Sequence, residues 1–113
     1  MRPLPVLRSQ RDFRRLFRQG TRYRARLLTA VVGSSEQARG LRVATVCSRH
    51  VGGAVVRNRV RRRLREALRQ AAWVEGADVY LAVIAHPVAA EASYQELRAE
   101  LVRVLGRAGL VVS

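Results

Sequence analysis

Seven arginines stand within the thirteen residues Arg57-Asn58-Arg59-Val60-Arg61-Arg62-Arg63-Leu64-Arg65-Glu66-Ala67-Leu68-Arg69. The chemistry open to such a run is phosphate recognition. Each guanidinium stays charged and offers a planar fork that pairs with phosphate bidentately and stacks on bases. At about 100° per residue, a helix here places Asn58, Arg62, Arg65 and Arg69 opposite an apolar stripe of Val56, Val60, Leu64, Ala67, Leu68 and Ala71. Arg57 and Arg61 flank one side of that stripe; Arg59, Arg63 and Glu66 flank the other. Like charges one helical turn apart repel, one glutamate does not compensate seven cations, and a merely solvated face mixes its signs. Phosphates would supply the missing anions and release counterions as they bind. Asn58 is the odd member. Its amide can address a sugar hydroxyl or base edge, brace Arg62, or serve as a backbone cap near the helix start.

The remaining reactive side chains form no constellation for protein-borne catalysis or for a metal. His50 and His86 have no neighbouring acids at ligand spacing, and His86 precedes Pro87, where a turn-supporting role suits it. Asp12, Glu66 and Asp78 make no carboxylate pair, and Glu66 is placed to bridge neighbouring arginines. There is no phosphate-cradling glycine motif and no nucleophile elbow. Cys47, the single cysteine, permits no internal disulfide and reads as a buried thiol. Trp73 reads as an anchor at the core or its rim. Phe13 and Phe17 lie one helical turn apart, a spacing that serves core packing or a pair of stacking rings.

These groups sit on a chain of 113 residues with a net charge of +14, enough for one domain, residues 1–113. Such a field attracts polyanions, nucleic acid before membrane. All 22 basic residues are arginine. A GC-rich codon bias explains arginine in place of lysine but not the quantity of charge. Residues 1–70 hold 19 arginines and three acids, against three arginines and five acids in residues 71–113, so binding belongs to the first two thirds. No apolar run reaches spanning length, and the first residues are too short for a signal peptide, so a cytoplasmic protein is expected. With no polyanion bound, self-repulsion opposes compaction.

The elements follow from pattern. Ser9 to Gly20 reads as a helix with Ser9 as N-cap, Asp12 in its first turn, and Phe13, Leu16 and Phe17 on one face. Leu27 to Val32 reads as a strand, with an extra short strand near Tyr23 to Arg26. Gly33 to Gly40 is a polar turn, and Leu41 to Ser48 is a second strand whose alternation suggests an antiparallel hairpin with the first. Gly52-Gly53 breaks the chain before a long helix, Ala54 to Ala72. Asp78 to Ala85 is almost wholly apolar and therefore central. Ser93 and Glu96 have capping-box spacing before a last helix with Tyr94, Leu97, Leu101, Val104 and Leu105 inward.

The run Gly52-Gly53-Ala54-Val55-Val56-Arg57-Asn58-Arg59-Val60-Arg61-Arg62-Arg63-Leu64-Arg65-Glu66 closely resembles the RNR-motif helix of the bacterial ribonuclease P protein component. Leu7-Arg8-Ser9 with Asp12-Phe13-Arg14-Arg15-Leu16-Phe17-Arg18-Gln19-Gly20 resembles that family's opening helix. Val46-Cys47-Ser48-Arg49-His50-Val51-Gly52 resembles the strand and turn before its motif. The resemblance implies an α+β fold, a single-domain α/β sandwich related to a ribosomal protein domain, with a left-handed β-α-β crossover around the motif helix. It implies a subunit with no catalytic residue of its own: the RNA carries the active site and its Mg2+, and the protein binds that RNA and the 5′ leader of precursor tRNA. For the catalytic RNA it designates Arg57, Asn58, Arg59, Arg61, Arg62 and Arg65, with Arg69 continuing the same face. For the leader it designates Phe13, Phe17, Ser48 and Arg49.

Several positions depart from the family pattern. Arg61 stands where lysine is common, His50 replaces a charged residue, His86-Pro87 replaces an Arg-Pro pair, and Gly53 stands where bulkier residues are frequent. Leu27-Leu28-Thr29-Ala30-Val31 is aliphatic where relatives often carry aromatics facing the first helix.

A ribosomal-type structural RNA-binding protein or RNA chaperone is the alternative; it lacks this pairing of opening helix and motif. A DNA-binding regulator is the third reading. It expects a helix before the recognition helix across a short turn, where this chain has a strand and a Gly-Gly break.

Overall fold

Two of the three helices are bounded by side-chain caps written locally into the sequence. Ser9 Oγ accepts from Asp12 N at 3.3 Å and starts α1 (Gln10–Gln19). Ser93 Oγ accepts from Glu96 N at 3.1 Å, while the Glu96 carboxylate accepts from Ser93 N at 3.0 Å, closing a capping box at the start of α3 (Tyr94–Arg107). Those hydrogen bonds hold the Glu96 carboxyl below its ordinary value, with Arg26 assisting. The motif helix α2 (Ala54–Arg69) starts at Gly53 without a side-chain cap and ends at Gln70, three residues before Trp73. Gly52 makes its entry possible: φ is 152°, and a Cβ there would come within 2.9 Å of Val56.

The structure, a computed structural model, describes residues 4–34 and 40–112. Four strands form one sheet in the order β1-β2-β4-β3, comprising β1 (Thr21–Arg24), β2 (Leu28–Ser34), β3 (Arg42–Val46) and β4 (Val79–Ala85). β2 runs antiparallel to both β1 and β4, and β3 runs parallel to β4. The expected β2–β3 hairpin is therefore absent. β4 inserts between them, because its alternating residues are apolar on both faces and an edge position would leave one face wet. Most of the expected Gly33–Gly40 turn lies outside the described residues. The edge of β3 is partly covered by the N-terminal segment: Leu7 N donates to Val43 O and Val43 N to Pro5 O, both at 2.8 Å.

Alternation divides the sheet between two cores. Leu28, Ala30, Val43, Leu81 and Val83 meet α2 (Val60, Leu64, Ala67, Leu68) and α3 (Leu97, Leu101, Val104, Leu105). Val31 and Ala82 on the opposite face meet Leu16 of α1, with Phe13, Phe17, Ala44, Tyr80 and Ile84 at the rim. The layers are thus α1, sheet, and α2 with α3. Two polar contacts tie them together. The buried Glu100 carboxylate accepts from Leu27 N at 2.7 Å. His86, at the end of β4, lies 3.0 Å from Arg26 O through Nδ1 and 2.8 Å from Thr29 Oγ1 through Nε2. A carbonyl only accepts, so Nδ1 carries a proton and donates to Arg26 O.

Candidate nucleic-acid interface

The helical period sorts the α2 side chains into stripes, and the structure gives each stripe a different neighbour. Arg59 and Arg63 turn toward the 3-10 turn Pro87–Glu91 and the residue after it. Arg59 Nη2 donates to Ala90 O at 3.3 Å and Arg63 Nη1 to Ala92 O at 2.9 Å. Asn58, Arg62, Arg65 and Arg69 are exposed and, with Arg61, line a hollow on the outer surface. Arg57 and Arg61 lie on the third stripe, half-buried above the end of β3. Burial pushes the Cys47 thiol up beneath them, while the fields of Arg61, Arg57 and Arg65 act in the opposite sense.

Asn58 does not brace Arg62, and it does not cap the helix. Its Oδ1 accepts from Arg61 Nη1 at 3.2 Å. Glu66 bonds Arg69 at 3.4 Å and Gln70 at 2.9 Å, bridging forward along the helix. Among the described residues, no ion pair reaches Arg62 or Arg65. On the outward face, Arg69 pairs with Glu66, while Arg62 and Arg65 carry charge that no acid among the described residues compensates.

A second surface lies on the opposite side of the sheet. The Phe13 and Phe17 rings sit 4.6 Å apart at 42°, both half-buried. With Arg11, Arg14 and Arg18 they line a hollow along the exposed flank of α1. The sequence pattern did not single out Arg22 of β1. Its guanidinium lies 5.5 Å from the Phe17 ring centroid, and its Nη2 donates to Phe17 O at 3.1 Å. The two-residue alternation of Arg22 and Arg24 in β1 was the available signal, since both positions face α1. The sheet does carry one aromatic on this side, Tyr80 of β4. It opens onto the other flank of α1, with Asp12, Leu16 and Gly33, and so does not complete the phenylalanine platform. Ser48 and Arg49 lie at the turn where β3 leads into α2. Ser48 Oγ accepts from His50 N at 3.3 Å and caps the 3-10 turn Arg49–Val51, leaving Arg49 and His50 exposed.

Among the described residues, no group of three or more His, Cys, Asp and Glu could hold a metal ion, and no helix is long and apolar enough to cross a membrane.

The sequence model of the family described as Ribonuclease P matches residues 1–109. The chain belongs to the ribonuclease P protein family. A ribonuclease P protein component from Acidothermus cellulolyticus is 43% identical over 102 residues, covering 89% of this chain and 85% of that protein. One from Thermus scotoductus is 46% identical over 106 residues, covering 93% of this chain and 60% of the longer relative. The fold agrees with solved ribonuclease P proteins from Staphylococcus aureus (TM-score 0.82, 21% identity, 95% and 97% coverage) and Thermotoga maritima (TM-score 0.75, 24% identity, 90% and 96% coverage). As a ribonuclease P protein component, the chain is an accessory subunit of a tRNA-processing endoribonuclease, and ribonuclease P RNA is its partner. Within that family frame, Asn58, Arg61, Arg62, Arg65 and Arg69 come together on one face. Arg59 does not share it: its guanidinium is engaged with the Ala90 carbonyl.

Proposed function

We propose that the outward face of α2 binds the catalytic RNA, while the α1 side of the sheet holds the single-stranded 5′ leader of precursor tRNA. The observation that carries this reading is the division of the arginines. Arg59 and Arg63 fasten the helix to the protein, and Arg62 and Arg65 remain exposed without an acidic partner among the described residues. Arg57 and Arg61 extend the cationic surface toward Ser48 and Arg49.

On that side the rings of Phe13 and Phe17 stack on bases without demanding a sequence. Arg22, already against Phe17, and Arg49 meet the leader phosphates. The RNA performs the cleavage and holds the Mg2+; the protein raises the affinity for substrates that carry a leader. Neither DNA nor a membrane is a partner in this reading, and the cytoplasm, where precursor tRNA is trimmed, is its compartment. The strand and 3-10 turn before α2 also lack the preceding helix that a helix-turn-helix reader needs.

Equilibrium titration of the protein–RNA assembly with precursor and mature tRNA tests the division of labour. Tighter binding of the leader-bearing substrate is expected; equal affinities overturn the leader assignment.

A further inference from the structure

Where α2 meets the start of α3, Arg62, Arg63, Glu66, Gln70 and Tyr94 wall a hollow. It shares Arg62 with the hollow on the outward arginine face, so a strand whose phosphates follow that face passes its mouth. The walls are held in place by the protein. Tyr94 is half-buried against the core, and its hydroxyl donates to Gln70 Oε1 at 3.4 Å. Gln70 Nε2 donates to Glu66 Oε1 at 2.9 Å. Arg63 is anchored on Ala92 O at 2.9 Å.

Glu66 is out of place on a phosphate-binding helix, because its charge repels the polyanion. Its side chain is 36% exposed, and Gln70 and Arg69 occupy only part of the roughly four acceptor sites of a carboxylate. A carboxylate recognises adjacent donors and is repelled by acceptors. Guanine is the base whose Watson–Crick edge places two donors, N1–H and N2–H, side by side. Adenine, cytosine and uracil each set an acceptor beside their donor.

We propose that this hollow takes one unstacked guanine of the RNA bound on the arginine face, with the base against the Tyr94 ring and its N1–H and N2–H donating to the Glu66 carboxylate. The proposal rests on the RNA-binding reading of that face. It gives Glu66 a sign that electrostatics alone does not: removing the acid weakens binding rather than strengthening it.

The test is the affinity of full-length protein for ribonuclease P RNA, with Tyr94→Leu, Tyr94→Phe and Glu66→Gln compared by salt titration and thermal melting. Loss of one stacked base corresponds to roughly five- to 150-fold weaker binding for Tyr94→Leu, with an unchanged salt slope because no phosphate contact is lost. Tyr94→Phe keeps the ring and binds within about twofold of the parent. Glu66→Gln binds more weakly, and a guanine-specific dicarbonyl reagent finds one guanine protected in the parent complex and reactive in the Tyr94→Leu complex. Tighter binding by Glu66→Gln, or parental affinity for Tyr94→Leu with no new reactive guanine, overturns the guanine site. Failure of the parent protein to prefer ribonuclease P RNA over an unrelated RNA of equal length would instead overturn the reading beneath it.

Discussion

Arg59 and Arg62 are three residues apart in one motif, yet they face different partners. Arg59 Nη2 donates to the Ala90 carbonyl at 3.3 Å, whereas Arg62 is exposed and free of ion pairs among the described residues. Their replacements therefore separate in the measurement they move. Arg59→Ala is expected to cost about 1 kcal/mol of folding stability, seen as a lower melting temperature, with the salt slope of RNA binding unchanged. Arg62→Ala with Arg65→Ala should leave melting near the parent value and make the log–log salt slope shallower by about one unit per lost phosphate contact. The residue types and their helical phase were legible in the sequence. The partition was not, because the carbonyls that claim Arg59 and Arg63 come from a turn about thirty residues further along the chain. The same holds for Phe17. Spacing put it on the inner face of α1, but the cation of Arg22 above its ring is a tertiary fact. Phe17→Leu keeps most of the packing volume and removes the π-face. It should weaken binding of leader-bearing precursor by roughly 1 kcal/mol, the lower end of the stacking range, and leave mature tRNA unaffected. Equal losses for both substrates, tracking a fall in melting temperature, would assign the ring to the core.

At the scale of elements, legibility follows sequence separation. The Ser9 cap, the Ser93–Glu96 capping box and the apolar stripe of α2 are contacts within a turn or two, and they stand where the pattern puts them. Strand pairing is non-local. Alternation in Leu41–Ser48 and Leu27–Val32 identifies two strands but not their neighbours, and the entry of β4 between them is decided by the need to cover both of its apolar faces. The capping box also yields a stability prediction. Ser93→Ala should destabilise the protein by about 1 kcal/mol, since it leaves Glu96 N without its side-chain acceptor. Glu96 is lowered from its ordinary value in the folded chain, so its contribution is present above the unfolded carboxylate pKa and lost as pH falls through the folded one. The melting difference between the parent and Glu96→Gln should accordingly be present at neutral pH and shrink under acid conditions. A difference independent of pH would show that the ionised carboxylate adds nothing to the cap.

For the molecule as a whole, the sheet separates two surfaces of different chemistry. The aromatic side of α1 suits a flexible single strand; the outer face of α2 suits a folded RNA dense in phosphate. The charge asymmetry along the chain anticipates this: α1, β1 and α2 all lie within the arginine-rich first 70 residues, whereas α3 and β4 come from the part with more acids than arginines. What composition does not convey is that the two basic helices, α1 and α2, lie on opposite faces of one sheet. In the function proposed above, an accessory subunit built this way raises the efficiency of an RNA active site without contributing a reacting group. Reconstitution tests that claim most directly. Nuclease-free protein, the catalytic RNA, and the two together are incubated with precursor tRNA at low Mg2+, and release of the 5′ leader is followed. The account predicts no cleavage by the protein alone, little by the RNA alone, and efficient release of the leader by the mixture. Specific cleavage by the RNA-free protein, or no gain when protein is added to the RNA, would contradict it.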